Sequence, residues 1–109
     1  MVVQKILRFQ IWLVVLTPTQ GKEINKTRPC VVISPNEMSL LSTVIVAPMT
    51  SKGFILPCRV PCKFESKDGF VLLDHIRAVD KSRLTKKLGV IDQDTQHKIC
   101  KTLQEMFTY

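Results

Sequence analysis

No apolar run in these 109 residues is longer than the six from Ile11 to Leu16. Lys5 and Arg8 precede it, but it is too short to span a bilayer and short even for the core of a secretory signal. Thr17, Pro18, Thr19 and Gln20 follow without a small-residue cleavage pattern. The expectation is a cytoplasmic protein with no membrane partner. Linkers, internal repeats and low-complexity tracts are also missing, which leaves a single domain over residues 1–109 with a modest core. Cysteine is sparse and scattered: of Cys30, Cys58, Cys62 and Cys100, only Cys58 and Cys62 are close, and no histidine accompanies them. A structural zinc asks for four ligands in clustered pairs, so these cysteines read as small buried hydrophobes, and no metal or cofactor is called for. Negative charge is in short supply: lysine plus arginine outnumber aspartate plus glutamate 16 to 9, a net charge of +7 that favours a polyanionic partner such as nucleic acid.

What is present centres on Gly21 to Ser34, GKEINKTRPCVVIS. Polar and charged residues lead through Pro29 into the β-branched run Val31, Val32, Ile33, which is too short for a helix and is bounded by Pro35 and Asn36. Proline disfavours helical backbone in the residue before it, so Arg28 is expected to be extended, its side chain placed by the strand that follows. A guanidinium there is a rigid fork matched to two phosphate oxygens. The same residue can instead close a structural ion pair with a carboxylate such as Glu23.

Along the chain, Ile11 to Leu16 reads as a fully buried strand, and Thr17 to Gly21 turns into the loop just described. Thr43 to Met49 is a second β-branched strand, stopped by Pro48, with Thr50 and Ser51 at its end. Those hydroxyls either start a turn with Lys52 and Gly53 or donate to an anion held by Arg28. Phe54 to Phe64, broken by Pro57 and Pro61, reads as an edge or bent strand, followed by a turn over Glu65 to Gly69 that contains an Asp-Gly pair and a strand at Phe70 to Leu73, together a β-hairpin. For the charged segment Asp74 to Leu84 a solvated, salt-bridged surface is the plain explanation, favoured for Lys81 and Arg83, and Lys86 to Ile91 reads as a last strand. A terminal helix starts at the candidate N-cap Asp92, with Ile99, Leu103, Met106 and Phe107 on one apolar face and His97 on the surface. The fold class is mostly β with a C-terminal helix: a small antiparallel β-barrel or twisted sheet.

Three ordered blocks, IWLVVLTPTQGKEINKTRPCVVIS, TVIVAPMTSK and VLLDHIRAVDKSRL, resemble the MazF/PemK family of toxin endoribonucleases. The resemblance implies a compact SH3-like barrel acting as a homodimer. It further implies metal-independent cleavage of single-stranded RNA at short sequences to a 2′,3′-cyclic phosphate and a 5′-hydroxyl, neutralised by an acidic MazE-like antitoxin. By position, the family's RP arginine falls on Arg28, the hydroxyl after its Pro-x-Thr strand on Thr50, its acidic residue after the glycine on Glu23, and the acid of its Asp-Gln pair on Asp74. Arg28 and Thr50 suit the charge that builds on phosphorus when a 2′-hydroxyl attacks, and Glu23 suits the base. His75 stands where the family usually has glutamine and is assigned to the RNA groove. Lys22, Lys26, Ser51, Lys52 and Arg77 are the further candidates for RNA contact. Trp12 is expected in the core, leaving Phe9, Phe54 and Phe70 as stacking surfaces.

The chain departs from the family pattern at Phe9 and Gln10, where a glycine and an acidic residue are frequent, and at Val15 and Thr17. These departures leave Arg28 and Thr50 in place. Two other functions fit the same scaffold: a gyrase-binding toxin of the CcdB kind, and a non-catalytic nucleic-acid binder relying on charge alone.

Overall fold

Even- and odd-numbered residues of three neighbouring strands go to opposite sides of one sheet, as a two-residue side-chain period requires. The computed structural model describes residues 5–16 and 26–109, with Lys26 described through its backbone only. In it, β1 (Gln10–Leu16), β2 (Lys26–Val32) and β3 (Thr43–Thr50) pair antiparallel in sequence order. One face gathers Trp12, Val14, Cys30, Val32, Val44 and Val46, joined by Val79 and Leu84. The other gathers Ile11, Val31, Ile33, Ala47 and Met49 with Val60, Val71 and Leu73, and is covered by Ile91 and Ile99.

Four more strands complete a curled half-barrel: β4 (Arg59–Phe64), β5 (Lys67–Leu72), β6 (Arg77–Asp80) and β7 (Leu84–Val90). The order is β4-β5-β3-β2-β1-β7, with β6 also on β3. β3 carries β6 against Thr43–Val46 and β5 against Met49 and Thr50, so its last two residues are handed from one partner to another. The helix α1 (Gln93–Met106) follows β7. Its first turn is closed by Asp92, whose carboxylate accepts from the Thr95 amide at 3.1 Å and the Thr95 hydroxyl at 2.6 Å.

Several elements differ from expectation, each for a local reason. β2 begins three residues before Pro29, earlier than the β-branched run, so Arg28 is extended as expected and already paired within the strand, opposite Val14. Pro48 lies inside β3, opposite Cys30, and does not stop it. Only Arg59–Phe64 of the Phe54–Phe64 stretch is strand. The expected hairpin forms, but its turn is confined to Glu65 and Ser66, at φ 51° and 65°, and the rest of the Glu65–Gly69 stretch, Asp68 and Gly69 included, lies within β5. Val79 is buried and brings Arg77–Asp80 into the sheet as β6, within a segment that charge alone marked as surface. On α1, Ile99 is fully buried and Leu103 packs beside it, whereas Met106 and Phe107 stay exposed past the reach of the core. Among the described residues no helix is long and apolar enough to cross a membrane.

Candidate active site

The β2–β3 ladder ends at the pair Cys30–Pro48, which leaves Arg28 on one strand and Thr50 on the other just beyond it. Both are half-buried, and both line a hollow of about 310 Å³. Its opposite wall is the β4–β5 hairpin, through Phe64, Lys67, Asp68 and Gly69. Gly69 comes so close to β3 that a Cβ there would lie 2.2 Å from the Thr50 carbonyl oxygen. The absence of a side chain at Gly69 therefore lets β5 seat against the end of β3.

Thr50 Oγ1 accepts a hydrogen bond from the Lys52 amide at 3.1 Å. That contact occupies a lone pair of the hydroxyl and leaves its proton to donate outward. The expected turn with Lys52 is thus present, and it is compatible with the hydroxyl also serving as a donor. Among the described residues no carboxylate pairs with Arg28; the ion pairs there belong to Asp74. Arg77, opposite Val46 and alongside it on the Arg28 face, brings a second cation. Burial pushes the Cys30 thiol up to about 12, against the opposing pull of Arg28 and Arg77. The rim therefore combines a neutral hydroxyl donor with positive charge, a combination suited to an oxyanion.

Of the residues singled out from sequence, Arg28, Thr50 and Ser51 come together around the hollow, with Lys52 next to it and exposed. Lys22 and Glu23 lie outside the described residues, as does the side chain of Lys26, the first residue of β2. Asp74 and His75 sit in a 3-10 turn after β5, away from the hollow, and are tied to each other at 3.3 Å (His75 Nε2 to Asp74 Oδ2). Arg59 went unnoticed in the sequence. It donates from Nε to Asp74 Oδ1 at 3.4 Å and from Nη2 to Oδ2 at 3.2 Å, and its hydrogen bond holds the Asp74 carboxyl below the usual carboxylate range. The hairpin wall was missed too; its one legible signal was a glycine in a strand pattern, which marks a close backbone approach. Among the described residues no three His, Cys, Asp or Glu side chains group as a metal ion would need.

A family model described as PemK-like, MazF-like toxin of type II toxin-antitoxin system matches residues 7–107. The structure is similar to a chain of the MazE-MazF crystal structure from Deinococcus radiodurans, with TM-score 0.82 and 24% identity over 95% of this chain and 96% of that one. It is also similar to an endoribonuclease from Mycobacterial species, with TM-score 0.76 and 23% identity over 94% and 90% of the two chains. The Mycobacterium tuberculosis toxin MazF-mt6 matches with TM-score 0.74 and 18% identity over 90% and 95%. At these identities the structural likeness is one of fold.

Proposed function

Because the chain belongs to the family of PemK-like, MazF-like toxins of type II toxin-antitoxin systems, we propose that it is an endoribonuclease that cuts single-stranded RNA at short sequences without a metal. The observation that carries this reading is the placement of Arg28 and Thr50 on one hollow, with no described carboxylate occupying the guanidinium. A ribose 2′-hydroxyl attacks the adjacent phosphorus, and negative charge builds on the non-bridging oxygens. Arg28 neutralises that charge and the Thr50 hydroxyl donates to it, so both act on the transition state more than on the ground state. Glu23, at the position matching the family's acid, accepts the 2′-proton. As the cyclic ester closes, the P–O5′ bond breaks and the leaving 5′-oxygen takes a proton from solvent, so the products are a 2′,3′-cyclic phosphate and a 5′-hydroxyl.

The partners that go with this reading are a second copy of the chain and an acidic antitoxin. A similar structure is described as an endoribonuclease in complex with its cognate antitoxin from Mycobacterial species, and the net charge of +7 here suits an acidic peptide laid over the same rim. The test is incubation of the purified protein with a long RNA in EDTA, followed by mapping of the new ends. Cleavage is expected, with Arg28→Ala slowing it by about 10²-fold or more while the thermal midpoint holds. Undiminished cleavage by the folded variant would refute the role of Arg28.

A further inference from the structure

Residues 52–56 lead away from Thr50 and belong to no strand or helix. Among the described residues, the hydrogen bonds that anchor their backbone are at the two ends. The Lys52 amide donates to Thr50 Oγ1 at 3.1 Å, and the Leu56 carbonyl accepts from the Arg59 amide at 3.0 Å. Between those ends the Arg59 side chain holds the segment. Its guanidinium lies 5.2 Å from the Phe54 ring centroid, and Gly53 comes so close that a Cβ there would lie 3.3 Å from Nη1. Gly53 also takes φ 119°, so the missing side chain serves both the bend and the close approach.

The guanidinium is held in turn by Asp74, through Nε at 3.4 Å and Nη2 at 3.2 Å, and the Arg59 side chain is only 14% exposed. A planar fork gripped at two atoms keeps one orientation. With 27% of the Asp74 side chain in solvent, the ion pair itself contributes little to stability. What it supplies is a fixed surface against which residues 53 and 54 rest, while Phe54 stays 66% exposed and takes no hold on the core.

Resting on the endoribonuclease reading, we propose that Arg59 is a positioning residue for the reaction: braced on Asp74, it fixes the bend at Gly53 and Phe54, and the bend aims the Lys52 amide at Thr50 Oγ1. A hydroxyl proton rotates to suit its neighbours. An amide that occupies one lone pair turns that proton away from itself and toward a phosphate in the hollow, so the donor needs no reorganisation when charge appears. Arg59 acts through Thr50 alone, since Asp74 already matches its charge. Its loss therefore weakens the hold on the transition state and leaves RNA binding in place.

The experiment has a cleavage arm and an exchange arm. In the first, an RNA with a mapped cut is digested by the wild type, Arg59→Gln, Arg59→Lys, Thr50→Val and the Arg59→Gln/Thr50→Val double variant, each below its melting midpoint. Arg59→Gln is expected to lower kcat about tenfold with KM within about twofold, and Arg59→Lys, which keeps the charge and loses the fork, to do the same. In the Thr50→Val background, Arg59→Gln is expected to cost less than about twofold more. A loss that adds fully to that of Thr50→Val, or a raised KM with kcat kept, makes Arg59 an RNA contact and overturns the proposal. In the second arm, amide exchange at Lys52 is followed by NMR without RNA. Thr50→Val removes the acceptor and Arg59→Gln loosens the bend, so each is expected to speed that exchange about threefold or more. Faster exchange in Arg59→Gln supports the brace even if the wild type cuts no RNA, a result that would sink the nuclease reading alone. Unchanged Lys52 exchange in folded Arg59→Gln overturns the brace whatever the cleavage.

Discussion

Replacing Gly69 with alanine tests whether the hairpin wall positions the proposed catalytic pair. The added Cβ would fall 2.2 Å from the Thr50 carbonyl oxygen, 3.1 Å from its carbonyl carbon and 3.3 Å from Ser51 Cα, where 3.0 Å is about the least that real Cβ atoms show. All three obstacles are backbone, so no side chain can swing aside. Either β5 lifts away or the end of β3 shifts, in both cases by about 1 Å, at an overpacking cost of about 2 kcal/mol. Only Met49↔Val71 and Thr50↔Phe70 join β5 to β3, so this short ladder is where the structure yields. For a domain of this size the melting midpoint should fall by roughly 8–16 °C. Cleavage, assayed well below that midpoint, should fall by about 10²-fold, as expected when a reacting group is misplaced by an ångström. Lys63→Ala, an exposed change across the hairpin from Asp68, is the control and should leave both quantities near wild type. A Gly69→Ala protein with wild-type melting and wild-type cutting would refute the claim that β5 seats Thr50.

Two further outcomes follow from the titrating groups. The Thr95 hydroxyl and amide hold the Asp92 carboxyl below its ordinary 3.8, and Arg59 does the same for Asp74, so both contribute stability that is complete above that value and is lost as pH falls through the lower folded value. Melting should therefore be insensitive to these groups above about pH 5 and decline below about pH 4, and Asp92→Ala should cost about 1 kcal/mol at pH 7 while flattening the acid limb; an unchanged limb would contradict the cap. Cys30 is fully buried, and its thiol is pushed up to about 12, so alkylation at pH 8 with mass-spectrometric mapping should leave it unmodified until the protein unfolds. Labelling of Cys30 in the native protein would contradict its placement.

What could be read from the sequence is what period and local chemistry decide. The β-branched runs at Ile11, Val31 and Thr43, the Asp92 cap and the burial of Trp12 all follow from side-chain pattern. Arg28 and Thr50 were legible as residue types near prolines, but their sharing one hollow is a matter of how strands pair and bend, which no local signal carries. β6 was hidden because Arg77 and Asp80 flank Val79, and a four-residue strand with one buried side chain looks like surface. The Glu65–Gly69 turn was legible, but within it Glu65 and Ser66 take the left-handed backbone, and the glycine of the Asp-Gly pair serves tertiary packing instead. Arg59 was obscured because a strand arginine between prolines carries no mark of its partner fifteen residues away. The departures at the first strand have a physical account. Phe9 takes φ 70°, a glycine-like conformation held by its amide donating to the Val32 carbonyl at 2.7 Å and by the Ile91 amide donating to its own carbonyl at 2.9 Å. Gln10, buried, accepts from the Leu7 amide at 2.8 Å and from Trp12 Nε1 at 2.9 Å, so an acceptor is what the position needs and a neutral amide supplies it.

Arg28 and Arg59 are both strand arginines, and their surroundings give them opposite tasks. Arg59 spends its donors on the two oxygens of Asp74 and its flat face on Phe54, so its charge is matched and its geometry fixed. Such a side chain organises its neighbours and has little left for a ligand. Arg28 stands beside a neutral hydroxyl, with the field of Arg77 reaching the same buried thiol and no described carboxylate in reach. An anion arriving there displaces no carboxylate of the described residues, and the positive field strengthens its hold as negative charge grows. The contrast explains why composition alone could not locate the site: sixteen cations are distributed over the chain, and what marks Arg28 is its place with Thr50 on the wall of one hollow.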